Sequence, residues 1–365
     1  MNIAFYVDEM NYRGVANQTF KLAFNNRKIL RNKSIIFYNK KNYRNKKDVI
    51  KKFKNKFIVY GVSYFKEIEN FKNKYKIDFL YVQKSGNKDN WHSNKIKTII
   101  HAVYPQKLSE IHGHNYAYIS EWLSTNFSNR KVPFIPLIVD MHKTKNNLRK
   151  SLKIKKKQIV FGCHGGESSF DLKFVQDVIK KIVNSKKDII FLFLNIDKFY
   201  NHPRIKFFKG TTDEIFKKKF INTCDAMIYG RSLGESFGLA CGEFAVQNKP
   251  IFSYKFNRHK NHKLSANKDN FLEYGSFKRL YFLIKNFKKN RNSLQKNRYQ
   301  QYSSHRVMKE FKSNFLSKKI EIDINFLDYL KNYFSFYKMY YLYLRHKLYN
   351  HYYDYLESKF INIKD

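Results

Sequence analysis

The residues best able to do chemistry lie in one stretch, Cys224-Asp225-Ala226-Met227-Ile228-Tyr229-Gly230-Arg231-Ser232-Leu233-Gly234-Glu235-Ser236-Phe237-Gly238-Leu239-Ala240-Cys241-Gly242-Glu243-Phe244-Ala245, which runs on to Asn248-Lys249-Pro250-Ile251. The apolar run ending at Tyr229 reads as a buried strand, a glycine-punctuated loop follows, and a helix of small residues begins near Gly238. A helix start offers unpaired backbone N–H groups and a positive dipole end, which suit a diphosphate. Gly238 has no Cβ and lets phosphates approach the backbone closely. Glu243 falls about five residues into that helix, about 7 Å along its axis, roughly the distance from a phosphate to a ribose ring. A carboxylate there can accept from two vicinal ribose hydroxyls. Glu235, before the helix, would stand on the other side of the diphosphate, among the hydroxyls of a sugar. The alternative is a pair of solvated glutamates at a helix start, where Glu is favoured in any case.

These residues need alternating strands and helices to hold them. Apolar runs at Ile3 to Val7, Ser34 to Tyr38, Phe57 to Val62, Asp78 to Val82, Thr98 to Val103, Tyr116 to Ile119 and Phe134 to Val139 read as buried strands, with helices at Val15 to Phe24 and Tyr64 to Tyr75. A polar, basic connection follows, Asp140 to Gln158. A second series then places strands at Ile159 to Gly162, Ile189 to Leu194, Ile205 to Phe208, Ala226 to Tyr229 and Pro250 to Tyr254, with helices at Phe170 to Val183, Thr212 to Thr223, Gly238 to Gln247 and Phe277 to Phe287. The expectation is an α/β chain of two Rossmann-like doubly wound domains, residues 1–143 and 144–315, with a cleft between them at the carboxyl ends of the strands. Residues 316–365 form a helical tail crowded with Tyr and Phe. It either packs back across the first domain or rests on a membrane surface.

Composition sets the class. With 365 residues and 43% hydrophobic content the chain can bury two cores. Lys and Arg number 72 against 29 Asp and Glu, a formal net charge of +43, which attracts phosphates, nucleic acid or an anionic bilayer. Codon usage in an AT-rich genome accounts for much Lys, Asn and Tyr but would raise Glu as well, so part of the surplus stands. The three cysteines, Cys163, Cys224 and Cys241, form no CxxC pair and suit a reducing compartment. No secretory signal is visible and no run approaches the ~20 apolar residues that span a bilayer. The expected location is cytoplasmic, with any membrane contact peripheral.

The Glu235 stretch resembles the donor-binding signature of the GT-B glycosyltransferases, in particular the retaining family-4 type: a buried strand, E-x-F-G-L, a second Glu after seven intervening residues, a small-residue helix, then G-x-P-V. Glu235, Phe237, Gly238, Leu239, Glu243, Ala245 and Pro250 match, and Asn248 stands where the family has Gly. The resemblance implies that Glu235 contacts the donor sugar, Glu243 the ribose, and the amides of Phe237 to Leu239 the sugar and diphosphate. It also gives roles to Arg13 and Gly14, in the loop after the first strand where the family faces the diphosphate, and to His101, where relatives place a His beside the donor sugar. His101 alone reads equally well as a strand-end residue bonded to backbone.

One departure stands out. The family follows the first strand of its second domain with G-R and K-G, but here the run is Phe161-Gly162-Cys163-His164-Gly165-Gly166-Glu167-Ser168-Ser169-Phe170-Asp171, without either cation. Gly165 and Gly166 with the hydroxyls of Ser168 and Ser169 would form a cradle, and His164 or Arg231 would supply charge. No D-x-D metal motif occurs, and His112 and His114 read as loop residues without a third ligand.

The resemblance therefore implies a metal-independent, retaining transferase without a resident cofactor. It would move a sugar from a nucleotide-diphosphate-sugar to a glycan or lipid-linked acceptor in surface polysaccharide or lipopolysaccharide assembly, near an anionic membrane. A catalytically silent scaffold that binds nucleotide or glycan is the alternative. No helix-turn-helix, zinc finger or RNP-like stretch supports a specific nucleic-acid partner.

Overall fold

The computed structural model describes residues 1–141, 145–266, 271–289, 297–317 and 319–360. The chain forms two units. The first comprises Met1–His142, Gly210–Lys217 and Asn297–Tyr333, the second Lys143–Lys209, Lys218–Lys296 and Phe334–Asp365.

Unit 1 is built on β1 (Asn2–Val7), α1 (Gly14–Lys28), β2 (Lys33–Asn39), α2 (Lys47–Lys54), β3 (Ile58–Val62), α3 (Lys72–Tyr75), β4 (Phe79–Lys84), β5 (Lys97–Ala102), β6 (Asn115–Tyr118) and α4 (Glu121–Ser128). Its six strands are parallel in the order β3-β2-β1-β4-β5-β6. Near-continuous Ile, Val, Phe and Tyr in β1, β2 and β4 are what a sheet covered on both faces requires, and almost all of these side chains are buried.

Unit 2 repeats the plan with β7 (Ile159–His164), α5 (Lys173–Ser185), β8 (Ile189–Leu194), β9 (Ile205–Phe208), α6 (Glu214–Thr223), whose first turn is counted with unit 1, and β10 (Ala226–Tyr229). There follow β11 (Gly234–Glu235), α7 (Leu239–Ala245), β12 (Ile251–Tyr254), β13 (His259–Lys260), α8 (Asn261–Ser265), β14 (Phe271–Tyr274) and α9 (Phe277–Lys285). The second sheet runs β14-β12-β10-β7-β8-β9, again parallel. Renumbered within its own unit this is the order 3-2-1-4-5-6, the same as in unit 1. Chain direction reverses between β1 and β4 in one unit and between β7 and β10 in the other, and such switch points are where open α/β sheets bind ligands.

The strand expected at Phe134 to Val139 is absent apart from a single bridge from Tyr118 to Phe134. Pro136 interrupts the run and has no N–H to give a ladder. Neighbouring groups satisfy the backbone instead: Ile135 N donates to Tyr118 O, Ile138 exchanges two hydrogen bonds with the Gln18 side chain, and Val139 N donates to Tyr302 O. The helix expected over Tyr64 to Tyr75 is a 3-10 segment, Phe65–Phe71, that passes into α3.

The C-terminal region begins with α10 (Ser304–Phe311), which returns to unit 1. Phe311 and Phe315 pack on Tyr81 of β4, and Phe315 on His101 of β5. The last helix, α11 (Phe326–Phe360), was expected to lie back on the first domain. Only its first turns do so, where Asn129 donates to Asp328 and Asn332 donates to the carbonyls of Gln106 and Phe127. Farther on its contacts are with unit 2: His346 with Tyr254, and Tyr349 and Tyr353 with Phe174.

Candidate functional site

At the switch point of unit 2, β10 ends in Tyr229 and the chain enters a loop held from several sides. Tyr274 OH donates to Tyr229 O at 2.6 Å. Asn257, fully buried, donates through Nδ2 to Arg231 O at 2.6 Å and Ser232 O at 3.3 Å. Ser232 donates from its amide and its hydroxyl to the two carboxylate oxygens of Asp171, each at 2.7 Å. Gly234 has φ +76°, and a Cβ there would lie 2.1 Å from His259 O, so the close pairing of β11 with β13 admits only glycine.

This loop carries Glu235. Its Oε1 accepts from Tyr229 OH at 2.8 Å and from Arg231 Nη1 at 3.1 Å. Burial pushes the Tyr229 hydroxyl far above its ordinary pKa, which keeps it a donor. The Glu235 side chain retains 21% exposure and that of Arg231 26%. Both bonds end on one carboxylate oxygen.

Three residues after Glu235, Gly238 caps α7 with φ +89° and ψ 59°, a left-handed conformation that glycine adopts without strain. Phe237 is buried and its carbonyl accepts from Asn261 Nδ2 at 2.7 Å, whereas Leu239 and Ala240 in the first turn are half-exposed. Glu243 lies inside the unit at 2% exposure, with Oε2 3.0 Å from Nε2 of His164 at the end of β7. The His164 ring stacks on Phe244.

Gly165 and Gly166 follow His164. Gly165 accepts from Asn195 Nδ2 at 2.6 Å, and a Cβ on it would lie 2.5 Å from Ser169 Oγ. The Ser169 hydroxyl donates to Gly166 O at 2.7 Å, which closes the turn and takes that hydrogen out of the expected cradle. Glu235, Arg231, Phe237, Gly238, Leu239, Glu243, Gly165 and Gly166 thus gather at the carboxyl ends of the neighbouring strands β7 and β10.

The remaining expected residues belong to unit 1. Arg13 and Gly14 are exposed at the start of α1, where Asn11 Oδ1 accepts from Arg13 N at 2.9 Å. His101 is corrected to a core residue. It has no exposed surface, its Nε2 lies 2.8 Å from Ile135 O, and its Nδ1 lies 2.7 Å from Tyr81 OH. A carbonyl only accepts, so Nε2 carries the hydrogen and Nδ1 accepts from the tyrosine. Burial drives its pKa down to about 4, and both ring nitrogens are taken by protein partners. His112 and His114 lie in the turn before β6, with His112 Nδ1 on Glu110 O.

Sequence reasoning passed over the layer beneath the loop: Asn257, His259, Asn261 and His262, all buried. His262 Nε2 lies 3.1 Å from Ser253 Oγ, and its ring packs on Tyr229. Burial lowers His262 far below the ordinary histidine pKa and His259 to about 3, so both are neutral near pH 7. The available signal was the run Asn257-Arg258-His259-Lys260-Asn261-His262, polar yet separated by only two residues from a buried strand.

No family model and no curated protein matches the sequence. Solved structures do. A glycosyltransferase from Rickettsia africae ESF-5 is similar with TM-score 0.59 and 15% identity over 92% of this chain and 97% of that one. HepE from Anabaena, solved with UDP and glucose, has TM-score 0.58 and 11% identity over 86% and 95%. A UDP-N-acetylglucosamine 2-epimerase has TM-score 0.58 and 10% identity over 89% and 99%. With two parallel six-stranded units of one strand order, this chain has the GT-B fold shared by those glycosyltransferases and epimerases.

Proposed function

We propose that this chain is a glycosyltransferase that takes a sugar from a nucleotide-diphosphate-sugar bound by unit 2. The observation that carries the reading is the pair of carboxylates, Glu235 and Glu243, on either side of a left-handed Gly238 at the switch point. In this reading Glu235 offers its second oxygen to the donor sugar's hydroxyls, held in place by Tyr229 and Arg231. The amides of Phe237 to Leu239 meet the diphosphate and stabilise the charge that grows on it as the glycosidic bond breaks. Arg231 adds the cation, and Glu243 receives the ribose hydroxyls beside His164. Unit 1, where Arg13 and Gly14 are exposed, receives a glycan or lipid-linked acceptor.

Retention of configuration, a metal-independent step without a resident cofactor, and a place in surface polysaccharide or lipopolysaccharide assembly rest on the likeness of the Glu235 stretch to the family-4 signature. UDP is the first nucleotide to try, because HepE was solved with UDP and glucose.

A second reading, a scaffold that binds the nucleotide sugar without transfer, is favoured by one observation: the turn after β7 supplies His164, Gly165 and Gly166 where the family carries Arg and Lys. Thermal unfolding separates the readings when run with uridine, guanosine, adenosine and thymidine diphosphates and their sugars, on wild type and Glu243→Ala, followed by product analysis of the ligand that binds. A ligand at a hundredfold its Kd stabilises the folded state by about 2.7 kcal/mol. A shift lost in Glu243→Ala, with sugar released or transferred, supports the transferase. The same shift with the nucleotide sugar unchanged supports the scaffold, an epimerised sugar points to isomerase chemistry, and no shift in a folded protein removes the donor site.

A further inference from the structure

The helix α11 buries one face against its own chain and exposes a second apolar face. Asp328, Asn332, His346, Tyr349 and Tyr353 hold the inner side. On the outer side Leu330, Phe334, Tyr337, Tyr341, Leu344 and Leu348 recur every three to four residues with 38 to 70% of their surface in solvent. At about 100° per residue these positions and the adjoining Tyr333 and Tyr340 cover roughly 120° of the helix circumference, the width of an amphipathic face rather than a narrow coiled-coil seam. Exposed Lys331, Lys338, Arg345 and Lys347 border the face, and between Tyr329 and Tyr353 the helix has no carboxylate.

We propose that this outer face of α11 is a docking surface for an anionic lipid bilayer, with Leu, Phe and Tyr seated at the headgroup boundary and the bordering cations on lipid phosphates. Charge decides the occupant. A second copy would bring Lys and Arg against Lys and Arg in a chain of formal charge +43, whereas an anionic leaflet complements both the border and the whole molecule. Tyrosine, with an apolar ring and a polar tip, suits the interface better than a dry core. No helix among the described residues is long and apolar enough to cross a membrane, so α11 lies on the surface. The inference does not rest on the sugar-transfer reading.

The test is co-sedimentation of the full chain with vesicles of phosphatidylcholine alone and of phosphatidylcholine with a quarter of phosphatidylglycerol. Two paired variants accompany it, Leu344→Ser with Leu348→Ser and Lys338→Gln with Lys347→Gln. All four sites are exposed, and circular dichroism and the thermal transition verify that the variants fold as wild type does. Retention on the anionic vesicles, weakened by salt, is expected. The charge pair should weaken it about thirty-fold and the apolar pair more than about ten-fold. Equal retention on neutral vesicles, no retention on anionic ones, or a concentration-dependent dimer that the apolar pair abolishes would overturn the proposal, the last by making a second copy the occupant.

Discussion

Acidification offers a direct reading of what His101 does. Its ring is fully buried, Nε2–H donates to Ile135 O, Nδ1 accepts from Tyr81, and its pKa falls to about 4 against an ordinary value of 6.5. A base whose folded pKa lies below its unfolded value is protonated first in the unfolded chain, so acid favours unfolding. Stability is whole above about pH 6.5, is lost as pH falls from there, and the loss is complete below about pH 4. Between pH 7 and pH 5 the two pKa values give a loss of about 2 kcal/mol from this residue. Both tryptophans of the chain, Trp91 and Trp122, lie in unit 1, so their fluorescence in denaturant titrations follows the unit that contains His101. His101→Gln should be less stable at pH 7, by roughly 1–3 kcal/mol for each buried partner left unmet. Its further loss between pH 7 and 5 should be about 2 kcal/mol smaller than that of wild type. His259 and His262 add acid sensitivity in both proteins and cancel in the difference. Equal pH slopes, or a His101 proton resonance that titrates near pH 6.5, would refute the core assignment and restore His101 as a group open to substrate.

Other expectations are briefer. Gly238→Ala places a Cβ at φ +89°, which costs roughly 1–2 kcal/mol and tilts the α7 amides, so calorimetry should find weaker UDP binding in a folded protein. Tyr229→Phe removes one of the two donors on Glu235 and should reduce the extra stabilisation that a nucleotide sugar gives over the bare nucleotide, while the shift with UDP alone persists. Arg231→Gln should weaken UDP more than UMP, by about ten-fold or more if the guanidinium meets the diphosphate; equal losses would mean that it acts only through Glu235. Gly162→Ala sets a Cβ 2.2 Å from Cys224 Sγ, and adding Cys224→Ala removes that sulfur, so the double variant should recover stability in a double-mutant cycle where simple addition would not.

Strands were legible in the sequence wherever burial on both faces left an unbroken apolar run. Ile189–Leu194, Ile205–Phe208 and Ala226–Tyr229 have the bounds that their composition suggests. The run at Phe134 to Val139 has the same composition, but Pro136 and side-chain donors on other elements take its backbone elsewhere, and the first of these was visible. β14 was hidden because Phe271–Tyr274 is short, carries Glu273, and lies partly exposed at the sheet edge. At the site, the glutamates and glycines could be singled out through the resemblance of their loop to the family signature, since their spacing alone fits solvated residues at a helix start as well. The support beneath them could not. Asn257 and Asn261 act by donating to carbonyls of the loop, and a carbonyl partner leaves no mark in residue type.

The two units share one strand order, yet their switch points differ in what remains free for a ligand. At the end of β1 the acidic groups are used locally: Asp8 accepts from Tyr6, Asn39 and Asn42, and Glu9 from Asn11 and Arg44. Those bonds hold the β1 loop, and Arg13 and Gly14 stay exposed beside it. At the end of β10 the buried asparagines carry the loop's backbone instead, so Glu235 does not have to, and its two bonds share a single oxygen. A carboxylate that is oriented but half uncommitted is what sugar recognition needs, since a rigid acceptor loses little freedom when a hydroxyl arrives. The same fold thus leaves Glu235 with both its bonds on one oxygen in unit 2 and Arg13 exposed in unit 1, and the difference arises from which side chains satisfy each loop.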